Sequence, residues 1–556
     1  MNKMQKTKRL LIFLPLVLTI LFCMLPNLMP GIPQASDEPF HLARIQSLAD
    51  GLRAGIFPVK VHPQLCYSLG YGVGFFYDNA LLYFPAVLVL LGLSLELAYK
   101  IFIFCLFIAI GAGMYVAVYH LTRQKELSIL CSCLYLLSSR IVGQLYVDFT
   151  LGNLCGAVFA PLAIAGAYLW LTKQSDLSLF IIGFTGLLYT HAITTLLSFV
   201  ACVLLFLFHL RRLFHRKVIR GFLLSSVLIL LLTAAYWLPM LQQFHVQLYK
   251  SAGPWTTEER NVVSLTGLLR GSRGLGILIV LIFFLALGLF LYLLSHRKQH
   301  SRDALYDCGT FLASGAILAL LPCCHAFWHL LNRKISLIQF PARLFLPASI
   351  LILFAYATAV AEVNHPVQRS VAFNTLLCVL GAATMALTIY PDAFRNSNDD
   401  VTQQVKNYEI AGAGAGQEWL PIECDLDQLK TDPTTAIADD GEQSEGVKQN
   451  YSSQFVFTAQ SGKQYYDVPY IYYRGYSATD ENGHTYTVDK GPEGEVRVFL
   501  PSDMKESATL TVSYTGTKYQ TFGCRVSLIT WILVLVIAAW KKRLSTTTAK
   551  PAAPMQ

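Results

Sequence analysis

Apolar runs about twenty residues long recur along this chain, and they constrain its fold more than any other feature. A run of that length crosses the hydrocarbon core of a bilayer as a helix, because in lipid every backbone polar group has to be paired within its own segment. Spans are expected near 10–29, 98–120, 127–146, 154–171, 177–190, 192–209, 221–240, 275–295, 304–321, 346–362, 370–391 and 526–540. Composition agrees, since 54% of the 556 residues are hydrophobic and 14% are charged. The start, "MNKMQKTKRLLIFLPLVLTILFCMLPNLMP", has a basic end and an apolar run longer than the roughly 7–15 residues of a signal peptide. It reads as an uncleaved first helix, with cleavage at "PQAS" as the alternative.

Lys and Arg in short loops mark the cytoplasmic side. Lys3 to Arg9, "LRRLFHRKVIR", "HRKQHSR" and Lys541 to Arg543 then place both termini inside. "NALLYFPAVLVLLGL", Asn79 to Leu93, is apolar but short, and counting it as a span would export those basic loops. It is read as interfacial or re-entrant. Charge divides the chain: Asp392 to Arg525 carries 11 basic and 21 acidic residues, against a net +9 for the whole. A basic membrane part joined to an acidic soluble part points away from nucleic acid.

The expected organisation is a membrane domain over 1–391, whose first external loop is 31–97, then a soluble domain over 392–525 and a last span with its tail over 526–556. The soluble region opens on "AGAGAGQEW" and continues in short alternating runs such as "SQFVFTAQ", "EVRVFLP" and "ATLTVSYTG". These predict a small extracytoplasmic β-sandwich. "ENGH" reads as a hairpin turn with Asn-Gly at the two central positions. Tyr470, Tyr472, Tyr473 and Tyr476 either pack across strands, the favoured reading, or bind sugar. Most of the 13 cysteines lie in apolar segments and no metal-ligand spacing occurs, so no metal site is expected. Cys424 and Cys524 flank the soluble region and could form a disulfide. Asn450-Tyr451-Ser452 matches a glycosylation sequon, a pattern short enough to arise by chance.

The candidate chemistry lies in "QASDEPFHLARIQSL", directly after the first apolar run. Ser36 suits an N-cap, Asp37 and Glu38 suit the positive end of a helix, Pro39 suits its first turn, and Gly55 would stop it. On that account the segment only starts an amphipathic helix lying on the membrane. At about 100° per residue, Ile45, Leu48, Ala49 and Leu52 share the apolar face and Gln46, Asp50 and Arg53 the wet one. Asp37, His41 and Arg44 share a strip bordering the apolar face. Ionisable groups turned that way are costly unless paired or used.

"DEPFHLARIQSLADGLRAGIFPVKVHPQLCYSLGYGVGFFYDNALLYFPAVLVLLG" resembles the first external loop of the bacterial YfhO-like proteins and of the 6-pyruvoyl-tetrahydropterin-synthase-related membrane proteins. The likeness continues through "LTRQKELSILCSCLYLLSSRIVGQLYVDFTLGNLCGAVFAPLAIAGAYLWL", "THAITTLLSF", "IQFPARLFLPASILI" and "VPYIYYRGYSAT". Both families resemble GT-C glycosyltransferases, which take sugars from polyprenyl-phosphate carriers. The resemblance implies a GT-C-like bacterial plasma-membrane enzyme whose donor is a polyprenyl-phosphate sugar. Its acceptor would be a cell-envelope glycan or lipid.

The resemblance also implies site residues. A carboxylate early in the first external loop is the catalytic group of GT-C enzymes, and Asp37 occupies that position with Glu38 beside it. A carboxylate there can take the acceptor's proton, while arginine suits the oxygens of the leaving phosphate. Arg44 and Arg343 are candidates for that role, the alternative for Arg343 being an anchor for lipid headgroups. His41, Asp78, Asp148 and His191 complete the expected substrate-binding set, His191 being more readily a satisfied buried histidine. No cofactor is assigned, and a divalent cation at Asp148, as some GT-C enzymes hold, is the one open possibility. The family pattern has Glu where this chain has Asn153, and a proline-rich "FYxPL" where it has "FYDNAL"; if that Glu is needed, the chain is a diverged or inactive member. Two other classes stay open, a transporter or flippase of lipid-linked glycans and a noncatalytic envelope scaffold.

Overall fold

The computed structural model describes residues 12–252, 261–270, 273–331, 338–363, 370–395, 397–398, 400–412, 417–429, 433–449 and 452–548. Lys3 to Arg9, Glu258, Glu259, Asn450 and Tyr451 lie outside the described residues. Each of the twelve expected apolar segments carries helix. Among the described residues, seven helices are long and apolar enough to cross a bilayer, or nine if each of two bent pairs counts as one span. The other three, Leu14–Cys23, Ser178–Leu188 and Ala192–Phe208, are shorter. The stretch 79–93 holds a helix of only 8 residues, Tyr83–Leu90, about 12 Å long and too short to span.

Two expected spans are broken. Lys125–Leu136 and Ser139–Tyr146 meet at 41°, and Arg216–Leu232 and Ala234–Val246 at 78°. Ser138 is extended at the first break, and its hydroxyl donates to the Tyr135 carbonyl at 2.6 Å. That is how a side chain inserted into the hydrogen-bond ladder redirects a helix. Two helices form the centre of the bundle: the most apolar windows of Leu151–Lys173 and Pro341–Val363 are 94% and 89% buried. The last helix, Lys518–Thr548, leaves its apolar window only 11% buried, as a helix facing lipid would.

The first-loop helix runs Glu38–Arg53 and ends before Gly55, which takes φ +77°. Most of it is buried rather than lying on a surface. Ile45, Leu48 and Ala49 face the core as expected, but Asp50 is buried too, at 4% exposure. Its carboxylate accepts from Gln46 and Arg53. The covering element is the helix Val401–Ala411, whose Gln404 donates to Glu38. A short ladder of β1 (Ile32–Pro33) with β2 (Ser397–Asn398) ties the same two regions together.

The soluble region differs in architecture from the expected sandwich. Among the described residues eight strands form it: β3 Thr435–Ala438, β4 Gln443–Lys448, β5 Gln454–Ala459, β6 Tyr465–Ile471, β7 Tyr476–Asp480, β8 Thr485–Lys490, β9 Glu495–Phe499 and β10 Ala508–Tyr514. They close into an antiparallel barrel in the order β10-β5-β4-β3-β6-β9-β8-β7. Alternating strands predict a buried face but not whether the sheet edges meet; closure pairs every edge. The "ENGH" hairpin is present, but of its two central residues only Gly483 has positive φ, at +82°. Asp480 organises the turn by accepting the Asn482 and His484 N–H groups.

All four candidate tyrosines of the barrel are buried. Tyr470 stacks on Tyr476, and Tyr473 donates to the Trp419 carbonyl, so they serve packing. All thirteen cysteines are free, Cys424 and Cys524 included. The barrel holds the first loop directly: the Ile471 N–H donates to Leu69 at 2.8 Å, and Lys448 Nζ donates to the Ser68 and Pro469 carbonyls.

Candidate functional site

Ser36 and Asp37 do not cap the first-loop helix. Asp37 stands at the N-cap position, yet its side chain makes no capping hydrogen bond. Both residues instead bind the second outer loop: the Asp37 N–H donates to the Asp148 carbonyl at 3.3 Å, and Ser36 Oγ donates to it at 2.9 Å. The Asp37 carboxylate is thereby left half-buried with no hydrogen bond or ion pair among the described residues. Burial pushes it up to about 6, the charges of Glu418 and Asp148 add to that, and Arg343 opposes it.

Glu38 has a different setting. It is fully buried, one oxygen accepts from Gln404 at 3.1 Å, and the other has no partner among the described residues. Burial raises it to about 7, with the Gln404 bond opposing. Turned into the interface with Val401–Ala411, it does not share the open setting of Asp37, contrary to the pairing expected from sequence.

His41 and Arg44 do share a face, and it points inward. Arg44 is completely buried. One Nη donates to the carbonyls of Tyr77 at 2.9 Å and Asp78 at 3.3 Å and to Asn79 Oδ1 at 2.6 Å. The guanidinium lies 4.3 Å from the Tyr77 ring centroid. Asn79 thus holds an arginine in this chain. His41 packs edge-on to Tyr77. Its pKa is held well below the ordinary histidine value by burial and by the Arg44 charge, so it is neutral at pH 7. The Asp78 carboxylate accepts the Ala80 N–H, and burial raises it, with Lys60 opposing. The cavity lined by His41, Arg44, Tyr77 and Asp78 measures about 10 Å³, room for a single water.

Tyr77 links this cluster to the membrane helices. Its hydroxyl accepts the Gly152 N–H at 2.8 Å, and a Cβ at position 152 would stand 2.0 Å from that oxygen. The glycine of "TLGNL" is therefore demanded by close approach. Next to it, Asn153 Oδ1 accepts from Thr194 Oγ1 at 2.9 Å. His191 caps the Ala192–Phe208 helix, Nδ1 accepting the Thr194 N–H. That is a structural role for His191, joined to Asn153 through Thr194.

Asp148 lies between two arginines, 3.8 Å from Arg140 and 3.2 Å from Arg273. This occupied carboxylate fits a charge partner better than a metal ligand. Among the described residues, no group of three or more His, Cys, Asp or Glu is placed to hold a metal ion. Arg343 occupies the turn Pro341–Leu344 just before the helix Phe345–Val363. One Nη donates to the Ile338 carbonyl at 3.1 Å. Arg343 and Arg140 line one narrow crevice with Gln144, Asn153 and Thr194, too tight for a water molecule.

Sequence reading missed three residues here. Arg140 lay inside an expected span, and an ionisable group in an apolar run is the signal that would have found it. Arg273 and Glu418 sit in loops without periodicity, where only tertiary contact reveals them. The structure therefore brings Asp37, Asp148 and Arg343 together, with Arg140, Arg273 and Glu418 joining them. Arg44, His41 and Asp78 form a separate inner cluster, and Glu38 stands apart.

No protein-family model matches the chain, and no curated protein matches it. Among solved structures, it is similar to the cryo-EM structure of the arabinofuranosyltransferase AftD from mycobacteria, with 17% identity and a TM-score of 0.43. That likeness covers 69% of this chain and 27% of that one. A variant form of AftD gives 17% identity and a TM-score of 0.42, covering 68% of this chain and 28% of that one. The chain thus spans about a quarter of AftD's length, and a likeness of this extent carries no argument about its chemistry.

Proposed function

We propose that this protein is an integral membrane glycosyltransferase that moves a sugar from a polyprenyl-phosphate donor to a cell-envelope acceptor on the external face of a bacterial plasma membrane. The observation that carries the reading is the unengaged Asp37 carboxylate, raised to about 6 and within reach of the charge of Arg343, which stands just before the buried apolar helix Phe345–Val363. A general base works best with a pKa near the operating pH. At pH 7 Asp37 is mostly ionised and still basic enough to accept a proton. The acceptor hydroxyl attacks the anomeric carbon, its proton passes to Asp37, and the bond to the lipid phosphate breaks with inversion. Arginine neutralises the charge that develops on the leaving phosphate.

Asn153, bonded to Thr194, together with the small inner cavity, favours one alternative, a noncatalytic envelope scaffold. A ligand that binds only the folded state raises the melting temperature with concentration. Purified protein in detergent is titrated with polyprenyl phosphate, as wild type, Asp37→Asn and Arg343→Ala. The enzyme reading expects stabilisation of wild type and Asp37→Asn and its loss in Arg343→Ala. No stabilisation of folded wild type at saturating lipid supports the scaffold.

A further inference from the structure

Where the helix Val401–Ala411 packs on the first-loop helix, acids stand at positions that apolar residues would fill. Val401, Val405 and Glu409 recur at every fourth position, so they share one stripe. The two valines are buried, and Glu409 Oε1 is buried without a hydrogen-bond partner among the described residues. The first-loop helix repeats the pattern. Glu38 shares a stripe with Leu42 and Ile45, all three fully buried, and its Oε1 likewise lacks a partner.

Among the described residues neither glutamate makes an ion pair. Around Glu38 are the Gln404 amide, which donates to its other oxygen at 3.1 Å, and Tyr99 of the membrane helix Leu95–Thr122, whose hydroxyl is buried without a partner. Around Glu409 are Asp50, which repels it, and the exposed Lys406, which attracts it; Asp50 is already bound by Gln46 and Arg53. A buried carboxylate with an unsatisfied oxygen is costly, whereas the protonated acid is neutral and can donate. Burial accordingly raises both glutamates from 4.5 to about 7. The helix is also tied at both ends. Before it, β2 pairs with β1. After it, the Glu418 and Leu420 carbonyls accept the Ser251 and Lys250 N–H groups at 2.9 Å, and Trp419 stacks on Phe76. Between those anchors it meets the first-loop helix through the acid-bearing stripe, Gln404 and the ring contact of Tyr408 with Phe40.

We infer that the helix Val401–Ala411 is a proton-held strap, closed on the first-loop helix while Glu38 and Glu409 are protonated and lifting from it when they ionise. Closed, its Gln404 sits on Glu38, next to Asp37, and the nearby inner cavity has room for one water only. Lifting uncovers that end of the first-loop helix while both anchors stay in place. The closed state holds the two protons more tightly than the open one. Closure is therefore firmest below pH 4.5 and weakens as pH rises through about 7. The strap works whether or not the chain transfers sugar, so its test uses no donor.

The test is amide hydrogen exchange of the full chain in detergent at pH 5 and pH 8, corrected for the intrinsic pH dependence of exchange. In wild type, the amides of Val401–Ala411 should lose about tenfold or more of their protection between pH 5 and pH 8, while those of barrel strand β5 keep theirs. The double variant Glu38→Gln with Glu409→Gln places a neutral donor at both positions. It should hold the pH 5 protection of the helix at both pH values. If the double variant does not fold, Glu409→Gln alone, at the less buried position, should weaken the pH dependence. Equal protection of the wild-type helix at the two pH values overturns the strap. So does an equal loss in β5, which would mean that the whole chain loosens, and so does a pH dependence that survives unchanged in the glutamine variants.

Discussion

Two polar clusters meet at the first external loop, and they are built on opposite principles. Around Arg44, one Nη is bound by three oxygens, an aromatic ring lies under the guanidinium, and the remaining space holds one water. Around Asp37, groups are left with something to do: an unengaged carboxylate and an Asp148 shared between Arg140 and Arg273. A polar network that is nearly satisfied rigidifies a fold, whereas groups held short of satisfaction are available to a ligand. Asp37, His41 and Arg44 look equivalent on a helical wheel. Their surroundings divide them between scaffold and chemistry.

The comparison breaks most visibly at Asp37. Asp37→Asn is expected to keep its melting temperature while transfer falls about 100- to 10,000-fold, the usual contribution of a general base. In wild type, kcat/KM should rise with pH through about 6, because the ionised carboxylate is the active form. A pH-independent rate between 5 and 8 would place the base elsewhere.

Arg44→Met is the reverse case. It strands the Tyr77 and Asp78 carbonyls and Asn79 Oδ1, and should cost about 3 kcal/mol or more, read as a lower melting temperature and poor yield. Gly152→Ala sharpens the boundary between the clusters. The new methyl would stand 2.0 Å from the Tyr77 hydroxyl, so about 1–3 kcal/mol is expected from overpacking, with activity falling as Tyr77 shifts.

The smallest effect concerns Glu38. Its folded pKa of about 7 lies above the unfolded value of 4.5, so the folded state holds the proton longer. That contribution to stability is complete below pH 4.5 and is lost as pH rises through 7. Glu38→Gln should flatten the melting temperature against pH over that window. An unchanged slope would mean that Glu38 is not the group responsible.

Much of the fold was legible because it is local. The apolar runs, the first-loop helix with its stop at Gly55, strands β5 to β10 and the "ENGH" hairpin each follow from periodicity or turn chemistry within a few residues, whereas β3 and β4 gave no such signal. Barrel closure depends on strand pairs tens of residues apart, the burial of Asp50 on the helix Val401–Ala411 some hundreds of residues away, and the bend at Ser138 on a single hydroxyl. The site divides in the same way. Asp37 could be found from its place after the first span, and Arg140 from its charge in an apolar run. Glu418 gave no local signal, and the burial of Arg44 and Glu38 was invisible until the covering elements were in place.

The most direct measurement is transfer of a labelled sugar from a polyprenyl-phosphate donor to cell-envelope acceptor, by purified wild type and by Asp37→Asn matched for melting temperature. The account predicts transfer by wild type and near-complete loss in the variant, with the lipid phosphate still bound. Equal transfer by both proteins would contradict it.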